Sequence, residues 1–135
     1  MIQIGINRAK ERADLQAQIN AERDLRIAAG FMFNGHVFDF DPDSKSRITG
    51  AATLAGFAIG QGAQANDYRW HGGSTDFVWI AQDNTAVPFD AQTMFAMGQA
   101  AAEHERAHIF AARALKDADP IPANFTDNSH WPVIA

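Results

Sequence analysis

The sequence predicts an α+β fold, a single compact domain of three helices, a short Asn-Gly β-hairpin and a second short strand pair. Three observations predict it. Residues 8–29 and 91–117 are long runs rich in Ala, Leu, Gln and charged residues with no proline, which is helix composition. Residues 31–40 alternate in character around Asn34-Gly35, the strongest short hairpin signal. The length of 135 residues suits one domain, and ten Phe and three Trp provide material for its core.

In chain order, Met1 to Ile6 alternate apolar and polar residues, as an edge strand or a tail docking on a partner would, and Asn7 offers a helix cap. A helix of about six turns is then expected from Arg8 to Ala29, closed by Gly30. Its few large apolar residues, Leu15, Ile19, Leu25 and Ile27, do not form one narrow stripe. It reads either as a solvated helix or as one that completes its burial against another chain.

In Phe31-Met32-Phe33-Asn34-Gly35-His36-Val37-Phe38-Asp39-Phe40, a two-residue turn pairs Phe33 with His36 and Phe31 with Phe38. The period of two puts Phe31, Phe33, His36, Phe38 and Phe40 on one face and Met32, Val37 and Asp39 on the other. Asp41-Pro42-Asp43-Ser44 has a helix cap followed by a first-turn proline. The second helix places Ile48, Ala52, Ala55 and Ile59 on a small-residue face and is expected to be largely buried. Gly60-Gln61-Gly62 ends it, and Gln61 to Asp76 is the candidate mobile loop, with Tyr68, Trp70 and His71 as either a partner-binding patch or an anchor.

Phe77 to Ala81 reads as a strand, Gln82-Asp83-Asn84-Thr85 as a turn, and Ala86 to Phe89 as a return strand that Pro88 confines to an edge or an end. Asp90 caps a third helix over 91–117, with Met94, Met97, Ala101, His108, Ala112 and Leu115 on one face. Asp119-Pro120 stops it. Residues 119–135 form an irregular tail carrying Trp131, expected to order on docking. The organisation is thus an N-terminal element at 1–29 for docking or oligomerisation, an α+β domain at 30–118, and that tail.

Charge and composition exclude several function classes. A formal charge of −5 with interspersed signs offers no basic stripe for nucleic acid. There is no cysteine, so disulfides, thiolate catalysis and Cys-based zinc sites are ruled out. Arg8, Lys10, Glu11 and Arg12 arrive before any apolar run, unlike a secretory signal, which implies folding in a cytoplasm. Ile48 to Ala65 is too short and too polar for a membrane span, and its Gly56-x-x-x-Gly60 spacing serves a tightly packed soluble helix equally well.

One segment raises a catalytic question. His104-Glu105-Arg106-Ala107-His108 carries two imidazoles at helical i, i+4 spacing beside a carboxylate, the pattern of a zinc hydrolase in which His104 and His108 bind metal and Glu105 acts as base. Arg106 puts a cation beside the metal position, and the third ligand would have to come from His130 or an Asp of the tail. The expectation is therefore no enzyme and no cofactor, with zinc as the alternative and the segment a surface feature. No Gly-x-Ser-x-Gly elbow or phosphate loop is present, and helix capping explains Asp39, Asp41 and Asp43 better than calcium does.

Several segments carry a family resemblance: Arg26-Ile27-Ala28-Ala29-Gly30-Phe31 leading into Phe33 to Asp39, then Asp41-Pro42-Asp43-Ser44. Trp79-x-x-x-Asp83-Asn84-Thr85-x-Val87-Pro88 follows, ahead of a long Ala-rich helix ending Arg113 to Asp117. Together, over about residues 20–118, they resemble a family of uncharacterised phage domains associated with tail-fibre and tail-fibre-assembly proteins. The resemblance implies a structural or accessory protein of a bacteriophage tail, made in the host cytoplasm and located in the virion. Its partners would be other tail or tail-fibre proteins or copies of itself, and the alternative is a tail-fibre assembly chaperone. It implies no catalytic residues; the binding candidates are Tyr68, Trp70, His71 and Trp131.

Overall fold

The computed structural model describes residues 2–133, with side chains from residue 8 onward. Its elements are α1 (Ile2–Ala28), β1 (Phe31–Phe33), β2 (His36–Phe38), α2 (Pro42–Gly60), β3 (Val78–Ile80), β4 (Ala86–Pro88), α3 (Ala91–Asp117) and a 3-10 turn at Asn128–His130. The order and kind of elements are those expected, and each sheet is one antiparallel pair. The N-terminal strand is the exception: α1 begins at Ile2, and Met1 lies outside the described residues. Each sheet is a two-stranded ladder that takes in no N-terminal strand, and residues 2–6 satisfy their backbone within a helix instead. Among the described residues no helix is long and apolar enough to cross a membrane.

The chain forms two compact units, residues 28–104 and residues 1–27 with 105–135. The first is built on the hairpin. Its register pairs Phe31 with Phe38, Met32 with Val37 and Phe33 with His36, as the Asn-Gly turn requires. Asn34 and Gly35 both take positive φ, at 49° and 79°, matching the right-handed strand twist. Phe31, Phe38 and Phe40 are buried on one face, and Phe89 meets Phe33 and Phe38 at 6.0 and 5.8 Å between ring centres. Gly30, at φ +112°, carries the chain from α1 into β1 so close to β2 that an added Cβ would lie 2.6 Å from the Phe38 carbonyl oxygen.

The turn of the second strand pair fastens onto this hairpin through Gln82. Its backbone N–H donates to the Val37 carbonyl at 2.8 Å, and its side-chain amide to the Ala29 carbonyl and Asp39 Oδ1 at 3.1 and 2.9 Å. β3 and β4 pair Val78 with Pro88, Trp79 with Val87 and Ile80 with Ala86, so Pro88 sits at a strand end.

α2 opens on Asp41, whose carboxylate accepts hydrogen bonds from the Ser44 hydroxyl and backbone N–H, with Pro42 in the first turn. The Ser44 hydroxyl bond is the main reason the Asp41 carboxyl titrates below the ordinary aspartate range. The expectation that α2 is largely buried is corrected. Only Ile48 and Ala55 are fully enclosed, while Leu54 and Phe57 are 65% and 70% exposed. The cause is its use of small residues: a Cβ added to Gly98 of α3 would lie 2.5 Å from the Ala52 Cβ, and one added to Gly56 would lie 3.0 Å from the Phe95 ring. A helix held this closely along one narrow stripe leaves its opposite side in water.

The second unit has its own core of Ile19, Ala112, Leu115, Ile121, Phe125 and Trp131, flanked by Leu15 and Ala111. Ile19 is the α1 residue fully enclosed there, in keeping with the scattered apolar pattern of that helix. Of the 119–135 tail, expected to order on docking, the described residues 119–133 are docked on the chain's own helices. Arg26 donates to the Thr126 carbonyl and to Asn128 Oδ1 at 2.8 and 2.9 Å, and Trp131 Nε1 donates to the Phe125 carbonyl at 2.7 Å. Arg12 and Gln16 donate to the Lys116 carbonyl at 2.9 and 3.2 Å, satisfying an acceptor that the end of α3 leaves open.

Candidate functional site

The two histidines of α3 have different surroundings. His104 packs in the aromatic cluster of the 28–104 unit, 5.8 Å from the Phe31 ring and edge-on to Phe40 at 5.7 Å. His108 is 1% exposed and stacks on Trp131 in the other unit, with ring centres 6.3 Å apart and planes 23° apart. The surface-feature expectation is therefore corrected. The face set by Met94, Met97 and Ala101 continues through His108 to Ala112 and Leu115, so helical periodicity carries the imidazole inward.

Among the described residues no three His, Asp or Glu side chains converge to hold a metal ion, so the zinc alternative has no third protein ligand there. Glu105 is half-buried. Arg106 is exposed, its guanidinium 5.4 Å from the Phe110 ring. Both imidazoles of this segment take part in aromatic contacts.

A recess of about 320 Å³ in the unit formed by 1–27 and 105–135 is lined by Arg26, His108, Asn128, Pro132 and Val133. Its cation is committed. Arg26 is paired with Glu22 at 3.0 Å, bonded to Thr126 and Asn128, and placed 5.2 Å over the Trp131 ring. Trp131, a binding candidate in the sequence, is accordingly enclosed as the anchor of the tail. A shallower groove of about 460 Å³, lined by Ala21, Leu25, Phe125 and neighbours, leaves Leu25 exposed.

Of Tyr68, Trp70 and His71, Trp70 acts as a loop anchor. Trp70 Nε1 donates to the Phe89 carbonyl at 3.0 Å, and its ring lies 4.7 Å from Phe77. Phe77 N–H donates to the Tyr68 carbonyl at 2.6 Å, and His71, though exposed, sits 5.3 Å from the Phe77 ring. Asp90 ties the same loop to α3: one oxygen accepts from Thr93 N–H at 2.8 Å as the cap, the other from Asn66 N–H at 2.9 Å. Burial pushes the Asp90 carboxyl up, but these bonds and the Thr93 hydroxyl outweigh it, leaving its pKa below the ordinary aspartate range.

The feature that sequence reasoning passed over is the set of large apolar side chains left in water on α2 and α3: Leu54 and Phe57, and Phe95, Ile109 and Phe110. The signal was present, since Leu54 and Phe57 lie off the Ile48, Ala52, Ala55 and Ile59 stripe.

Comparison with known families adds one finding. The family described as Domain of unknown function (DUF4376) matches residues 10–128. The chain belongs to that family. The DUF4376 match runs from α1 to the 3-10 turn and takes in all four strands, so it extends beyond both ends of the resemblance read over residues 20–118. No curated protein and no solved structure matches the DUF4376 chain.

Proposed function

We propose that this DUF4376 protein is a structural or accessory component of a bacteriophage tail that works through protein-protein contacts. The observation that carries the reading is the exposed apolar pair Leu54 and Phe57, neighbours one turn apart on α2 and so one patch, the kind of surface other chains cover. The resemblance of residues 20–118 to tail-associated phage domains supplies the context. Trp131 and His108 are engaged inside the fold, so the contacts would fall on the exposed apolar side chains.

Mass spectrometry of purified particles, combined with the protein's oligomeric state in solution, tests this. Detection at reproducible stoichiometry is expected. A strictly monomeric protein absent from purified particles overturns the reading. Recovery in tail-fibre precursor complexes together with absence from finished particles moves the role to an assembly chaperone.

A further inference from the structure

The outward face of α2 is a surface of unusual composition for one so exposed. Ser46, Arg47, Gly50, Thr53, Leu54, Phe57, Gly60 and Gln61 recur at steps of three and four along the helix and all are exposed. The charges on this side, Asp43 and Arg47, stand at the start of the helix, and depletion of charge around large apolar residues distinguishes the core of a protein interface from ordinary surface. Phe95, beside Gly56, borders this face and is itself exposed.

We infer that this face binds a second copy of the chain, with two α2 helices packing antiparallel about a two-fold axis that passes between Thr53 and Leu54. Three properties select a copy over an unrelated partner. The first is steric. That axis sets Phe57 opposite Gly50 and Leu54 opposite Thr53, so each bulky side chain meets a small one, and a Cβ added at Gly50 or Gly60 meets nothing within 4 Å in the chain's own fold. A face that carries its ridge and its groove at symmetric positions is self-complementary, as a two-fold interface requires.

The second property is electrostatic. The same axis sets Arg47 opposite Gly60, where the copy's α2 ends. The last carbonyls of a helix carry partial negative charge, so a guanidinium there is favourable, and it occurs twice by symmetry. The third is size. Leu54 and Phe57 leave on the order of 250 Å² of apolar surface per copy in water. With the flanking polar residues and both copies, the buried total reaches roughly 1,000 Å², the lower end for a specific interface. The dimer is therefore reversible and concentration-dependent. This goes beyond the tail assignment and does not depend on it: self-association of the pure protein alone tests it, whereas only absence from purified particles as well overturns the tail reading.

The absence of cysteine allows a direct test. Thr53→Cys, adjacent to the axis, is expected to form a disulfide-linked dimer under mild oxidation, whereas Ala102→Cys, exposed on α3, stays a monomer. In sedimentation equilibrium the wild type is expected to dimerise with rising concentration. Gly50→Arg, which keeps a good helix former and projects into open space, is expected to weaken association at least tenfold with an unchanged far-UV circular dichroism spectrum. A wild type that stays monomeric at every accessible concentration overturns the proposal. So does a Gly50→Arg variant that dimerises like the wild type, or equal cross-linking of the two cysteine variants.

Discussion

Replacing Gly30 by alanine isolates one close approach in the fold. Two costs combine. The residue has φ +112°, beyond the left-handed well that an L-residue tolerates, a strain of about 2–3 kcal/mol. The new Cβ would also lie 2.6 Å from the Phe38 carbonyl oxygen, and this neighbour is backbone in a paired strand, so relief requires a shift of β2, adding about 1–2 kcal/mol. The expected loss is about 4 kcal/mol, which for a chain of this size corresponds to a fall in Tm of roughly 15 °C. Gly35→Ala is the control. Its φ of +79° is also positive, but nothing lies within 4 Å of an added Cβ, so it should lose only about 1 kcal/mol. Urea unfolding monitored by tryptophan fluorescence measures both. If Gly30→Ala proves no less stable than Gly35→Ala, the close approach contributes nothing and the reasoning fails.

Trp131→Ala is expected to lose about 3–5 kcal/mol and to make the C-terminal segment the first site of limited proteolysis, because the indole fills the core and fixes the Phe125 carbonyl. Asp90→Ala should lose about 2 kcal/mol in urea unfolding, through the α3 cap and the bond from Asn66. Because the folded Asp90 pKa is depressed, its ionised form contributes fully above the ordinary aspartate pKa and fades as pH falls through the lower folded value. Asp90→Asn should therefore flatten the acid limb of the stability curve, a result read from urea midpoints at neutral and acidic pH. His104→Ala and His108→Ala are expected to lower stability through lost aromatic packing, and added zinc should leave the wild-type Tm unchanged; a zinc-dependent rise abolished by both variants would restore the metal reading.

What was legible in the sequence was what local chemistry decides. Asn34-Gly35 fixes the hairpin register, since only a two-residue turn with two positive φ values joins strands so tightly. Asp41 and Asp90 announce their helices because a carboxylate at the cap position accepts otherwise unpaired N–H groups. The α3 face, including His108, follows from periodicity alone. The misread features depend on distant partners. Ile2 to Ile6 alternate like a strand, but whether a neighbouring edge exists is a property of the whole fold. α2 was expected to be buried from its small residues, yet small residues permit a close approach on one side and say nothing of the other. Trp131 looked like a surface candidate because its acceptor, the Phe125 carbonyl, is invisible until the chain folds.

The two compact units differ in how the chain supplies them. Residues 28–104 are one uninterrupted stretch, whereas the other unit joins residues 1–27 to residues 105–135. Bringing the ends together across an unstructured interior carries the loop-closure entropy of the whole intervening segment, while the interior's own contacts span much shorter separations. The expected order of folding is therefore interior first. During synthesis the hairpin, α2 and the first half of α3 emerge before the residues that α1 needs in order to bury Ile19. Until Ala112, Leu115, Phe125 and Trp131 arrive, the leading helix has no finished core of its own, and in that interval its exposed apolar residues are open to capture by another chain.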